Sequence, residues 1–141
     1  MDFKSFMKEN QKKKENVFFA ATRSLCDENG EPLKWEFRQI TSDEMTEIQD
    51  ENIVDVPIPG KPGAYRQKPN AAKINKAMIC RSTVNPDLNN AELQDSYGVT
   101  TPEALLTEMV NSPGEFSDLV TFVSALNGFS LQDEVEQAKN S

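Results

Sequence analysis

The side chains that could do chemistry in this sequence are its carboxylates and two cysteines, and neither set forms a catalytic pattern. None of the 141 residues is a histidine, so the chain lacks an imidazole base and the commonest metal ligand. Cys26 and Cys80 are not part of a Cys-x-x-Cys pair, which is typical of reduced thiols rather than of a metal site or a disulfide. We therefore expect no catalytic residue, no cofactor, no metal and no enzymatic activity.

The carboxylates that stand out by position are better explained by helix capping than by acid–base catalysis. Three glutamates each follow a threonine or serine at the spacing of a capping box, in which side chain and backbone at a helix start satisfy each other. The pairs are Thr41 and Glu44, Thr100 and Glu103, and Ser112 and Glu115. Gly60-Lys61 lacks the upstream Gly and the downstream Ser or Thr of a phosphate-binding loop.

Basic residues surround one aromatic residue in a segment rich in proline and glycine, Asp55 to Asn70. Lys61, Arg66 and Lys68 flank Tyr65, an interleaving that can bind single-stranded nucleic acid. One aromatic and three cations are a small set for that purpose, and the net charge of −8 opposes a polyanion at long range. Because proline removes backbone donors, we expect a flexible loop that orders on a protein partner, with plain disorder as the alternative.

Charge is segregated along the chain. Residues 56–86 hold six basic and no acidic residues, whereas from Asp87 onward ten acids face only Lys139. These blocks either neutralise each other within the fold or between copies, or one of them forms a partner surface. No run approaches the roughly 20 apolar residues of a membrane span, and Met1-Asp2-Phe3-Lys4 lacks a signal-peptide core. We therefore expect a protein made and used in a cytosol.

The first half of the chain predicts a short helix, a β-hairpin and two longer helices. Phe3, Phe6 and Met7 have the spacing of an amphipathic helix that must dock on something. Segments 17–25 and 34–40 have strand composition, and Asn29-Gly30 between them supplies the positive φ values of a tight turn. Trp35 and Phe37 fall on the buried face. Helices are expected to start at Thr41 and Asn70, and Val84-Asn85-Pro86-Asp87 to stop the second of them near Ser82.

The stretch from Thr83 to Phe129 predicts three more helices. They begin after Asn89-Asn90, at Pro102 and at Pro113, and glycines at 98 and 128 end the first and the last. The last two carry more apolar side chains than one hairpin and helix can cover, so we expect this surplus, with Phe129 and Tyr65, to bind a partner. The predicted partner-binding residues are Leu105, Leu106, Met109, Phe116, Leu119, Val120, Val123, Leu126, Phe129 and Tyr65.

Together these signals predict an α+β fold that is mainly helical. An N-terminal β-hairpin precedes a bundle of short helices, with the Pro/Gly-rich segment 55–70 as a long flexible loop. Residues 1–129 are expected to form a single domain that opens with a short helix and linker, residues 1–16. Residues 130–141 form a polar tail.

The order of these segments resembles the phage tail assembly chaperones of the XkdN-like family. The likeness covers most of residues 17–129 and lies in a strand leading into a capped helix, in the segment from the end of the Asn70 helix onward, and in the last two helices. These segments are 35–44, 81–88 with 92–99, and 104–106 followed by 115–119 and 126–129.

The resemblance implies a small, non-enzymatic protein of a phage or prophage that works in the host cytoplasm. Members coat the tape measure protein during tail assembly, keep its apolar helices from aggregating, and leave before the virion is complete. A frameshifted longer form recruits tail tube subunits. Association between copies stays open. The alternatives are a structural head-tail connector or minor tail component, and a nucleic-acid-binding accessory protein.

Overall fold

The structure, a computed structural model, describes residues 2–129 and has the predicted α+β class. Two 3-10 turns, Phe3–Phe6 and Lys8–Asn10, come first. They are followed by β1 (Val17–Phe19), β2 (Trp35–Phe37), α1 (Ser42–Glu51), β3 (Ile53–Pro57), β4 (Tyr65–Pro69), α2 (Ala71–Ser82), β5 (Thr83–Asn85), α3 (Ala91–Ser96), α4 (Pro102–Met109) and α5 (Pro113–Leu126). The predicted polar tail, residues 130–141, lies outside the described residues. No helix within residues 2–129 is long and apolar enough to cross a membrane.

The predicted N-terminal hairpin is present and forms part of a three-stranded antiparallel sheet, ordered β1-β2-β5. Trp35 and Phe37 are 2% and 0% exposed, as their alternation with charged residues predicted. In the connecting turn only Gly30 has a positive φ, of 80°, so Asn29 does not play the expected part. Strand β5 was not predicted, because its three residues gave only the signal of a helix end.

The segment expected to be a long flexible loop is a second hairpin instead. β3 and β4 pair in register from Ile53 opposite Pro69 to Pro57 opposite Tyr65. The prolines of this segment fall at strand ends or in the turn, where a missing N–H does not interrupt the ladder. The proline count was therefore a poor guide here. The loop prediction is wrong for residues 55–57 and 65–69, whereas residues 58–64 form the connection between the two strands.

Three helix starts follow the sequence signals closely. Thr41 Oγ1 accepts from the Glu44 N–H while the Glu44 carboxylate accepts from the Thr41 N–H, both at 3.1 Å, which completes the capping box. Asn70 and Asn90 accept from the N–H groups of the third residues of α2 and α3. Each bond satisfies a backbone donor that the helix leaves unpaired.

The starts of α4 and α5 differ in detail from the prediction. The cap of α4 is Thr101, whose hydroxyl accepts from the Ala104 N–H, and not Thr100. Ser112 makes no side-chain cap bond. The Glu115 carboxylate instead accepts from the Thr22 hydroxyl at 2.9 Å and from the Arg23 N–H at 2.8 Å, so it joins α5 to the chain after β1.

The core lies between the β1-β2-β5 sheet and helices α1, α2, α4 and α5, and Ile48 of α1 is among its buried residues. Helix α2 packs against both α4 and α5. An aromatic cluster joins α5 to the sheet. In it Phe122 stacks on Phe19 with ring centroids 4.2 Å apart and meets Phe37 edge-on at 5.6 Å. Phe122 is absent from the apolar residues of α5 that were predicted to bind a partner.

Helix α5 ends as predicted, in a Schellman motif. The Phe129 N–H donates to the Ser124 carbonyl and the Gly128 N–H to the Ala125 carbonyl, and Gly128 has a φ of 87°. Asn127, the last-turn residue, accepts from the Ile40 N–H at 2.8 Å and donates to the buried Ser82 hydroxyl at 3.1 Å. One amide side chain thus fixes the end of α5 against α2 and against the chain that enters α1.

Candidate functional site

Half of the predicted partner-binding residues lie in the core. Leu105, Leu106, Leu119 and Val123 are 0% exposed, and Met109 is 6% exposed. The expectation that α4 and α5 carry more apolar surface than the chain can cover is therefore wrong for these side chains, because α2 and the sheet cover them. A partner can reach these five residues only if the fold opens.

The other predicted residues are accessible to different extents and lie on separate elements. Phe116, Val120 and Leu126 pack at the margin of the core and are half-buried. Phe129, after α5, and Tyr65, on β4, are 47% and 63% exposed. The structure therefore does not gather the ten residues into one surface.

Phe129 borders a shallow cavity of about 220 Å³ at the start of α1. Its position is set by the Schellman motif on one side and by the bond from Asn127 to the Ile40 N–H on the other. The volume is below the roughly 300–1,000 Å³ of small-molecule sites, so the cavity has room for a single side chain of a partner. The lining residues are Ile40, Thr41, Ser42, Met45, Thr46, Asn127 and Phe129.

The most exposed apolar side chains are in residues 2–10, which we call the N-terminal arm. Phe3, Phe6 and Met7 are 71%, 76% and 44% exposed, and the arm has no buried residue. It forms two 3-10 turns rather than the predicted helix, as expected of a short segment without a packing surface. The spacing of these residues had indicated a docking element, yet they were left out of the predicted binding residues.

Charged side chains near the N-terminus of α1 form a structural network. Glu44 accepts two hydrogen bonds from Arg38, at 2.9 and 2.6 Å, and lies 3.5 Å from Arg81, which also contacts Glu47 at 3.1 Å. The hydrogen bonds from Arg38, aided by the backbone bond at Thr41 and by Arg81, lower the Glu44 pKa to about 2. A carboxylate held ionised in this way is suited to bracing the fold and poorly suited to proton transfer near neutral pH.

The two thiols lie in different environments. Burial, with a smaller contribution from the Glu103 charge, raises the pKa of Cys80 to about 12, so this thiol stays protonated and a poor nucleophile. Cys26 is exposed. Within residues 2–129 there is no group of three or more carboxylate and thiol residues placed to hold a metal ion.

Comparison with solved structures shows a shared fold. The chain is similar to the crystal structure of the protein YqbN, with a TM-score of 0.75 over 92% of this chain and 98% of that one, at 20% sequence identity. At this identity the match establishes the fold.

Comparison with curated proteins adds two relatives from Bacillus subtilis strain 168. The "Phage-like element PBSX protein XkdN" is 22% identical over 99% of this chain and 94% of its own length. The "Uncharacterized protein YqbN" is 23% identical over 99% and 93%. The model of the phage XkdN-like tail assembly chaperone protein family matches residues 3–139. A match over nearly the whole chain establishes that it belongs to the XkdN-like family of phage tail assembly chaperones.

Proposed function

We propose that this protein binds the tape measure protein of its phage or prophage and keeps it soluble in the host cytoplasm until the tail has formed. The observation that carries the proposal is the family match over residues 3–139, which implies phage tail proteins as partners. Among these the tape measure protein is the one whose long apolar helices need cover during assembly. Once assembly buries them, the chaperone leaves, and we expect it to be absent from the mature virion.

Two features of the surface support an apolar partner. Phe3 and Phe6 in the N-terminal arm are more than 70% exposed, and burying them against a partner would remove apolar surface from water. The cavity beside Phe129 has room for one side chain and is lined in part by Ile40, Met45 and Phe129. A helix in contact with both would be held chiefly by apolar burial, at about 25 cal/mol per Å² removed from water.

The test is coexpression of the tape measure protein with and without this chain, followed by measurement of the tape measure protein in the soluble fraction. We expect it to be soluble only in the presence of the chaperone, and the recovered complex to survive a wash in molar salt. A tape measure protein equally soluble alone, or a complex that dissociates in salt, would contradict the proposal.

Matched variants locate the contact. The double variant Phe3→Ser/Phe6→Ser should reduce recovery of the tape measure protein, and so should Phe129→Ser. Phe18→Ser removes a phenylalanine that is 62% exposed on β1, outside both features, and should leave recovery unchanged. Equal loss in all three would indicate a general effect of surface apolarity.

Copurification from infected cells separates this function from its alternatives. A head-tail connector or minor tail component would remain in purified particles, and a nucleic-acid-binding protein would bring DNA with it. A chaperone should bring the tape measure protein. Mass spectrometry of the copurified proteins would show whether a frameshifted longer form exists and whether tail tube subunits accompany it.

A further inference from the structure

The β3–β4 hairpin stands apart from the core. All five residues of β4 are exposed, and the two strands pack chiefly on each other. An isolated two-stranded hairpin is marginally stable in water. The exposed surface of β4 would therefore gain from cover, whereas Val54 and Val56 of β3 are already half-buried.

One face of this hairpin combines apolar and basic side chains. In the observed register the half-buried Val54 lies opposite the exposed Lys68, and the half-buried Val56 lies opposite the exposed Arg66. Directly opposed residues of an antiparallel pair share a face. Lys61 is in the turn. Asp55, the one acidic residue of the hairpin, is opposite Gln67 and so lies on the other face.

The three cations of the hairpin are without carboxylate partners in the part of the chain that the structure describes. The ion pairs found there, within 4.0 Å, join Arg38 and Arg81 to Glu44 and Glu47. Neutralisation within residues 2–129 therefore does not account for Lys61, Arg66 and Lys68.

Helix α1 has the complementary character. It carries five acidic residues and no basic one, and only Glu44 and Glu47 form ion pairs among the described residues. Asp43, Asp50 and Glu51 are exposed. With Glu47 they form a stripe, because residues three and four apart are neighbours on a helix.

The spacing of charges on the two elements is compatible. Arg66 and Lys68 are two residues apart on a strand, which is about 6.8 Å at 3.4 Å per residue. Glu47, whose carboxylate also contacts Arg81, and Glu51 are four residues apart on a helix, which is about 6 Å, and the exposed Asp50 is three residues from Glu47 on the same stripe. A strand lying along α1 can thus bring two cations near two carboxylates at once.

We propose that two copies of this chain associate through a two-fold axis, with the β3–β4 hairpin of each lying on α1 of the other. The hairpin follows α1 directly, with only Asn52 between Glu51 and Ile53. The basic and acidic surfaces are therefore neighbours on each copy, and such a patch is self-complementary under two-fold rotation. Long-range repulsion between two copies of charge −8 is screened beyond about 8 Å at physiological ionic strength. The local match of opposite charges therefore determines whether the two copies associate.

A phosphate backbone is a less suitable occupant of the basic face. The acidic stripe of α1 adjoins the hairpin in sequence and would repel a polyanion. The same acidic stripe attracts a second copy, because it faces the basic hairpin of that copy. The association is independent of whether the tape measure protein is the chaperone's partner.

The test is sedimentation velocity of the full chain over a range of concentrations, with charge-reversal variants. Wild type should show a dimer whose fraction increases with protein concentration. Arg66→Glu/Lys68→Glu and Asp50→Lys/Glu51→Lys should each be monomeric, with at least a tenfold weaker association. An equimolar mixture of the two should form a heterodimer, because both contacts then again join opposite charges.

Controls make the outcome decisive. Lys12→Glu/Lys13→Glu makes the same change of charge in the linker before β1 and should leave the dimer intact. If circular dichroism shows that a charge reversal disturbs folding, the neutral variant Arg66→Gln/Lys68→Gln takes its place. A monomeric wild type, a mixture that stays monomeric, equal loss in the linker variant, or oligomers larger than two would each overturn the proposal.

Discussion

Arg38 and Glu44 form a two-pronged ion pair across the junction between β2 and α1. Arg38 Nη1 donates to Glu44 Oε1 at 2.9 Å and Nη2 to Oε2 at 2.6 Å. The same carboxylate closes the capping box of α1 and lies 3.5 Å from Arg81 of α2. One side chain thereby fixes the sheet, α1 and α2 relative to one another.

Glu44→Gln keeps the shape of this side chain and removes its charge. The side chain is 20% exposed and its partner Arg38 is 36% exposed, so we expect a loss of only about 1–2 kcal/mol in the free energy of unfolding at pH 7. The stabilisation is complete above the usual pKa of 4.5 and is lost as pH falls toward the folded-state pKa of about 2. Wild type and variant should therefore converge in urea melts across that interval.

The control for this measurement is Glu28→Gln, which changes an exposed loop carboxylate outside the described ion pairs. It should leave stability unchanged at either end of the pH range. A Glu44→Gln protein as stable as wild type at pH 7 would contradict the bracing role assigned to Glu44.

Features set by neighbouring residues could be predicted from the sequence. The capping box from Thr41 to Glu44, the cap at Asn70, and the buried pair Trp35 and Phe37 each depend on spacings of a few residues. The Schellman end at Gly128 is of the same kind. These signals are local, so they predict structure without knowledge of the rest of the fold.

Features set by distant contacts could not be predicted in this way. Strand β5 exists because it lies against β2, with Asn85 opposite Glu36, and a three-residue segment carries too little composition to show this. Glu115 was assigned to its own helix and instead bonds to residues more than 90 positions earlier. Sequence spacing does not distinguish the two uses of a carboxylate.

The candidate site was predicted least well for the same reason. Periodicity shows that α5 has an apolar face, but it does not show what covers that face. Leu119 and Val123 are covered by this chain's own core, whereas Phe3 and Phe6, with equally regular spacing, are left exposed. Burial by the chain or by a partner is a property of the whole fold.

Leu119→Ala tests the placement of α5 in the core. The side chain is 0% exposed, and its truncation should lower the free energy of unfolding by about 2–5 kcal/mol, through lost burial and the cavity left behind. Denaturant melts measure the change. Leu33→Ala, at a leucine that is 45% exposed, is the matched control and should cost far less. A loss below about 0.5 kcal/mol at Leu119 would instead place that face outward.

The two cysteines should differ in alkylation. Near neutral pH the exposed Cys26 should react with iodoacetamide, whereas Cys80, with a pKa raised to about 12, should remain unmodified in the folded protein. Mass spectrometry should find one added group in native protein and two in denatured protein. A Cys26→Ser variant that still takes up reagent quickly under native conditions would show that Cys80 is accessible.

Amide exchange tests the stability of the β3–β4 hairpin. In dilute protein the hairpin amides should exchange faster than those of α2, because all of β4 is exposed and two strands alone protect each other poorly, whereas α2 packs in the core. Mass spectrometry of peptides covering residues 53–69 and 71–82 would compare the two directly.

The same measurement separates intrinsic order from order supplied by a second copy. If the hairpin lies on α1 of a partner copy, its protection should rise with protein concentration while that of α2 stays constant, since α2 is already covered within the chain. The variant Arg66→Glu/Lys68→Glu should show no such rise. Slow exchange across Gly60 to Lys68 in dilute protein, equal to that of α2, would instead mean that the hairpin is stable on its own, and the expected mobility would be wrong.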